Sequence, residues 1–523
     1  MKKPTLQISI FAIFFSLSAF AQDLNVAAGG QMYISPTAFV RASSNVGIDS
    51  NGELIMDSVS DDFSDLFVVG SSTGTAEYRH FTGSSATRDL VSPPVSGQTF
   101  ASFATANTGK IAPGTINTAV TSLMYGPLNT ATSAYEEYLA ADTTPLVAAK
   151  GYRAGTVTGQ TLTYEGIVST GNVSIPIVYS GSAVYKDNNL IGNPYTTHVS
   201  TQDVVSALGA ATAVINPSFA VIYGYKGITS NDPANWTVLG STNHATVPLI
   251  TPGQAFIVRA IAAGTFSFPT SARRVSTAAQ DNFLPGIVQG TTPSTLTLTL
   301  TKGSQFWKTY LYFGSDAHTG RGLDPTWDAG SLGSDLGTHL VEEDHPTSVG
   351  VNFHIQALPS ADLTATDYAI PLEVNVAAGQ EATISIDDLD VPSGTKFYLD
   401  DAELNVQTLL TSNDYTFTPS STLSGIGRFY LGTTSSTFSS PYTALNSVEI
   451  FSSATTKKLI VQGQLRHDST LILYDIRGRV IQKHQLEASQ TRHEIDVSNV
   501  SSGVYVANLN NNHQSKTTKL VIK

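Results

Sequence analysis

Cysteine is absent from all 523 residues. That excludes disulfides, thiolate catalysis and Cys-ligated zinc or iron–sulfur sites. Charge is scarce too: Asp, Glu, Lys and Arg together make up 13% of the chain, with a net charge of −13. That acidic balance argues against nucleic acid, whose binders displace counterions with Lys and Arg. Beyond the N-terminus no run approaches the ~20 apolar residues of a transmembrane helix, so no membrane span is expected in the mature chain. Helical periodicity is rare, and no phosphate-binding glycine loop precedes a helix. The 11 histidines include neither an H-E-x-x-H motif nor an i, i+4 helical pair.

What remains is apolar, uncharged-polar and β-rich. Hydrophobic residues reach 41%, enough for sizeable cores, and disorder normally pairs low hydrophobicity with high charge. Short Thr-, Val- and Tyr-rich runs broken by Gly, Asn, Asp and Pro predict an all-β, multidomain protein. Two segments carry helical spacing: Thr115 to Ala141, interrupted by Gly126 and Pro127, and Thr201 to Ala213, with Val204, Val205 and Leu208 on one face.

The N-terminus reads MKKPTLQISIFAIFFSLSAFAQ. Lys2 and Lys3 precede an apolar stretch too short to cross a bilayer, and Ala19 and Ala21 occupy the small-residue positions of a signal-peptidase site. A signal peptide over 1–21 with cleavage before Gln22 is therefore expected, and with it secretion. From Leu24 the strands are only a few residues long and need stacked neighbours to bury an apolar face, which predicts β-solenoid-like rungs or a meander over 22–74. The stretch LNVAAGGQ is echoed at VNVAAGQE, from Val374. A β-rich body domain over 75–290 contains NLIGNPY, Asn189 to Tyr195, and PGQAFIV, Pro252 to Val258. The alternation TLTLTL opens a β-sandwich domain over 291–432, followed by a Ser/Thr-rich linker over 433–444 and a last unit over 445–523. From Leu445 onward the chain carries 10 Lys/Arg against 6 Asp/Glu; without this tail and the two leader lysines the body stands at −19.

Candidate chemistry is thin. GSSTG, Gly70 to Gly74, matches G-x-S-x-G with Ser72 as nominal nucleophile, but TAEYRH follows as a strand where a hydrolase elbow needs a helix. Asp316, Asp324 and Asp328 lie among glycines, and a calcium site is conceivable there on chemical grounds; Asp also forms turns, and no metal or cofactor is expected. His318, His339, His345 and His354 share one domain, and their strand-and-loop setting predicts surface positions. Trp236, Trp307 and Trp327 are candidates for stacking on sugars or for core packing.

The tail is the most legible part. LILYDIRGRVIQKHQL, Leu471 to Leu486, reads as a hairpin whose turn uses the Asp475 side chain and a positive φ at Gly478. SVEIF and KKLIVQ before it, and HEIDV, VSSGVYVANL and KTTKLVIK after it, give about seven strands, the arithmetic of a small Ig-like sandwich. The blocks LYDIRGRVI, IDVSNVSSGVYV and TKLVIK resemble the type A C-terminal sorting domain of the type IX secretion system of Bacteroidetes. The matching motif residues are Tyr474, Asp475, Gly478, Asp496, Gly503, Tyr505 and Lys519. The resemblance implies export to the outer-membrane exterior, partnership with the type IX machinery, cutting in or near the Thr433 to Asn446 linker, and attachment to surface lipopolysaccharide or release. The body is similar to large surface proteins of the same bacteria, which carry NLIGNPY and GQ-F-V phrases. Their sandwich units end in an L-D-D…Y-x-F…RF order, matched here at Leu399, Tyr415 and Arg428; in this chain TTH follows the NPY. Three functions are compatible with the residues: a non-enzymatic, adhesin-like or structural surface protein, which leads; a protein that binds extracellular glycan, which needs aromatics on an exposed face; and a secreted hydrolase, which needs converging carboxylates.

Overall fold

A computed structural model describes residues 5–7, 19–60, 62–116, 121–181, 187–225, 236–276, 294–314, 319–342, 345–364, 369–433, 448–453, 456–463, 465, 469–487, 490–510 and 515–523. The chain forms two compact units, one of Met1–Ser180 and Val184–Gln289, the other of Gly181–Ala183 and Gly290–Lys523. Nearly all regular structure is β, as the sequence predicts.

The first unit opens with a three-faced parallel coil. Asp23–Val26 pairs with Val46–Ile48, which pairs with Ser72–Thr73. Gln31–Ile34 pairs with Glu53–Met56 and that with Ala76–Thr82, while Phe39–Ala42 pairs with Asp65–Val68. Every third short strand thus stacks on its counterpart one turn earlier, which is the solenoid arrangement. Strands this short cannot hold a sheet alone; stacking lets Leu24, Val46, Leu54 and Leu66 share one core. Thr5–Gln7 and Ala19–Ala21 extend two of the ladders, against Asp23–Asn25 and Val40–Ala42. Corner side chains stack as well: Asn45 Oδ1 accepts from the Ser71 amide at 2.9 Å, and the Asn45 amide donates to Asp23 Oδ1 at 3.1 Å.

This coil accounts for GSSTG. A Cβ on Gly70 would lie 2.6 Å from the Ser44 carbonyl oxygen, and one on Gly74, whose φ is +80°, 2.1 Å from that of Ile48. Both glycines are set by close stacking on the previous turn. Ser72 lies on a strand, and the strand Ala76–Thr82 follows, so no elbow forms.

The coil's core continues into residues 91–168. Here the expected helix at Thr115 to Ala141 is corrected. Residues 117–120 lie outside the described set; Tyr125–Asn129 and Ala134–Tyr135 are strands. Gly126 packs so tightly that a Cβ would stand 2.1 Å from the Glu136 carbonyl. A helix that the sequence did not suggest lies at Phe100–Ala106, capped by Thr99. Its Phe100 and Phe103 join Tyr125, and Phe103 meets Tyr164 at 4.7 Å, so an aromatic cluster decides this segment. The second expected helix is present at Thr201–Ala210, with Val204, Val205 and Leu208 buried and Ser200 as N-cap.

The two quoted body phrases are strand partners: Asn188–Gly192 runs antiparallel to Ala255–Arg259, with Leu190 opposite Ile257. Asn193 then ties the turn, donating to the carbonyls of Thr197, Ile250 and Thr251 and accepting from the Tyr195 amide. The TTH that follows reaches the coil. Thr196 exchanges hydrogen bonds with the Leu66 backbone, and the His198 ring lies 2.9 Å from Asp65 with both side chains buried.

In the second unit, strands from 294 to 432 make one hydrogen-bonded run around a single core. It passes from Val406–Leu409 through Tyr398–Asp401, Phe429–Gly432, Ile370–Val374, Leu336–Thr338, Phe353–Pro359, Gln305–Gly314, Ser294–Lys302 and Ala382–Asp390 to Tyr415–Phe417. The two ends of this run meet. Arg428 grips Asp401 at 2.7–3.1 Å, and the Tyr415 hydroxyl, from the opposite end, donates to Asp401 Oδ2 at 2.7 Å. The L-D-D…Y-x-F…RF order is therefore the clasp of the sandwich. The echo VNVAAGQE proves to be a shared turn: Gly29 and Gly379 have φ of +72° and +75°, and the turns close from Gly30 to Ala27 and from Gln380 to Ala377. One turn lies in the coil and the other in the sandwich, so the echo marks no repeat.

Candidate functional site

Residues 448–523 close on their own core, from Val448, Leu459 and Leu471 to Leu520 and Ile522. Among the described residues seven strands form two sheets. One joins Glu449–Ser453, Lys458–Gln462 and Arg492–Asp496; the other joins Val480–Leu486, Ser469–Asp475, Gly503–Asn510 and Ser515–Ile522. The final strand is paired along its whole length, Gly503 to Asn510 against Ile522 to Ser515. Among the described residues no strand of this sandwich enters the sheet of the preceding one.

The motif residues have distinct structural tasks. Asp475 holds the hairpin tip: its Oδ1 accepts from the amides of Arg477 and Arg479 at 2.9 and 3.0 Å. Gly478 supplies the positive φ, +80°. Those contacts, the Arg479 amide first, hold the Asp475 carboxyl below its ordinary value. A bulge between Leu473 and Tyr474 turns the strand just before the tip, which leaves Ile476 prominently exposed. Asp496 caps the next turn through the Ser498 amide at 2.8 Å, and the Ser498 hydroxyl first, with that amide, lowers its carboxyl too. Tyr505 reaches back to donate to the Ser501 carbonyl at 2.7 Å, pinning the turn that leads into Gly503. Lys519 stands exposed opposite Val506. These residues are not convergent; they specify three turns and one sheet face, as expected of a domain recognised as a folded object.

A second constellation joins the tail to the sandwich before it, and sequence reasoning missed it. His339 is almost wholly buried. Its Nε2 lies 2.9 Å from Glu373 of the sandwich and its Nδ1 3.3 Å from Glu449 of the tail. Burial opposes charge on the imidazole, but the Glu449 charge and the hydrogen bonds to Glu373 and Glu449 outweigh it and push the group up to about 10. Around this triad the Ser424 amide donates to Thr491 Oγ1 at 3.0 Å. A Cβ on Gly350 would lie 2.8 Å from the Phe451 ring, and one on Gly425 3.0 Å from Gln462. The expectation of a surface position is thus corrected for His339, because two carboxylates from separate modules enclose it. His345 and His354 are half-buried, and His318 lies outside the described residues.

The remaining candidates serve structure. Asp324 Oδ2 accepts from the Gly320 amide; Asp328 accepts from Asp324 and Ala357, and is itself fully buried. Asp316 lies outside the described residues. Among the described residues no group of three or more His, Asp and Glu side chains is arranged to hold a metal. Trp307 is buried with Lys302 over its ring at 4.1 Å, and Trp236 and Trp327 are half-buried. Among the described residues no helix is long and apolar enough to cross a membrane.

Comparison with known proteins agrees with this division. Residues 449–523 match the model of the "Secretion system C-terminal sorting domain". The chain is accordingly a type IX secretion substrate, exported to the cell surface or beyond, and the type IX machinery is its partner. Comparison with curated proteins finds no match. Among solved structures, a "Biofilm associated protein - BSP domain" aligns at 9% identity and a TM-score of 0.16, over 70% of this chain and 63% of that one. Residues 5–432 match the model of the family described as "Domain of unknown function (DUF8693)", and the chain belongs to that family.

Proposed function

We propose that the body, Gln22 to Gly432, is a non-enzymatic surface module, adhesin-like or structural, which the tail delivers after removal of a leader at Ala21. One observation carries this reading: the side chains best suited to chemistry are already spent on architecture. Asp401 and Arg428 clasp the sandwich, Asp324 and Asp328 brace one loop, and Asp65 and His198 fasten the coil to the body. A general acid or nucleophile needs a face open to substrate, and these groups are enclosed by protein partners. The glycan reading asks for an exposed aromatic platform, and none of the three tryptophans provides one.

The test is a panel on purified mature chain: adhesion to surfaces, a glycan array, and chromogenic ester and glycoside substrates. Adhesion without turnover is expected. Turnover abolished by one carboxylate or serine substitution overturns the reading.

A further inference from the structure

The sorting domain has its own core and its own two sheets, yet it is seated closely on the sandwich before it. Four features make this seat specific. Charge is shared across it, with His339 of the sandwich enclosed between Glu373 on its own side and Glu449 from the first strand of the tail. Backbone is matched to ring, because Gly350, with φ of +71°, leaves only enough room for Phe451. Gly425, with φ of +99°, does the same for Gln462. Gln462 is in turn held by Arg492 at 2.9 Å and reaches the Glu373 carboxylate. The two sides also carry opposite net charge, a basic tail against an acidic body. Such complementarity steers and orients association.

An enclosed charge triad is costly to open from one side. Withdrawing Glu449 leaves the imidazolium with half of its compensation and uncovers groups that had been desolvated together. A linker that merely tethered the tail would not need two glycines with positive φ facing side chains of the other module.

We infer that the last sandwich is a built receptor for its own sorting domain, and that the tail stays bound to the body after the linker between them is cut. Cutting removes the tether, so binding becomes bimolecular, but the seat itself is untouched. Release then requires a competitor for the Glu449–Phe451 edge, while the four-stranded sheet with the Asp475 tip lies on the other sheet of the tail and keeps its own contacts. The sorting machinery thus meets an oriented tail, and removal is a two-step event of cutting and displacement.

The test uses the full mature chain with a site-specific protease sequence placed within 434–447 and an affinity tag at the C-terminus. After complete cutting, capture through the tag is expected to retain the body. Glu449→Lys sets two cations against each other and should lower retention by roughly tenfold or more. Gly350→Leu drives a side chain into the Phe451 ring and should abolish it. Lys458→Gln, at an exposed tail ion pair away from the triad, should leave retention unchanged. Circular dichroism on each cut variant establishes that both halves remain folded. Separation of wild-type body and tail on cutting overturns the inference, and so does equal retention by folded Glu449→Lys and Gly350→Leu variants. The measurement is made outside the cell, so its failure leaves the export assignment standing.

Discussion

The last two sandwiches are neighbours in sequence and both are closed β structures, yet they use charge in opposite ways. The body sandwich buries an ion pair, Asp401 with Arg428, and lays the arginine over Phe417 and Phe429 at 5.2 and 5.0 Å. The tail keeps its own ion pairs outside: Arg479 with Asp475 at the hairpin tip, and Glu494 with Lys458 and Arg492 on a sheet face. A buried pair is weak evidence of extra stability, but removing one partner is severe because the other is stranded without water. Exposed pairs contribute little and are screened by salt. The body sandwich is therefore built to stand, with the two ends of its sheet joined by a charge that cannot be let go. The tail is built to be handled, with an apolar core and a surface that tolerates rearrangement.

The sharpest way to break this contrast is to separate the modules genetically. Deleting Leu445–Lys523 should abolish surface display and strand the body in the periplasm, read by protease accessibility of intact cells. Next in size, Arg428→Leu should destabilise the second unit by about 3–5 kcal/mol, the usual cost of a stranded buried partner, measured by urea unfolding. Conservative Arg428→Lys should recover only part of this, since the bidentate fork is lost.

A smaller effect is expected from pH. The His339 imidazole is raised to about 10 in the folded chain against ~6.5 when unfolded. Its contribution is complete below pH ~6.5 and is lost as pH rises through about 10. The second unit should therefore lose stability between pH 7 and 10 more steeply in the wild type than in His339→Gln. Equal slopes would remove the ion triad from the seam. Smallest of all, 1 M salt should loosen hydrogen-exchange protection around the Asp475 hairpin and leave the strands of the Asp401 clasp unchanged, because the Debye length shrinks to ~3 Å in solvent and not in the core.

What could be seen in the sequence follows the same division. Local devices were legible: the Asp475–Gly478 turn, the Val204–Val205–Leu208 face of the second helix, and the short strands that demand a coil. Each is specified within about ten residues. The helix at Phe100–Ala106 was not, because its seven residues owe their shape to tyrosines tens of residues away. Leu123 and Met124 gave Thr115–Ala141 a helical rhythm, but Gly126 packs tightly against the Glu136 backbone and Tyr125–Pro127 pairs with Tyr152–Ala154 instead. Long-range polar contacts were invisible for the same reason. Asp65 meets His198 across 133 positions and His339 meets Glu449 across 110, and no spacing rule connects residues so far apart. The order L-D-D…Y-x-F…RF could be recognised, but that it joins the two ends of one sheet could only be seen in three dimensions.

The pairing of NLIGNPY with PGQAFIV has a consequence for how such bodies diversify. Gly192 lies flat against Ala255, where a Cβ would sit 2.8 Å from the neighbouring Cα. Neither phrase can therefore be exchanged alone. A chimera that transplants one stretch from a sister protein must carry the other with it.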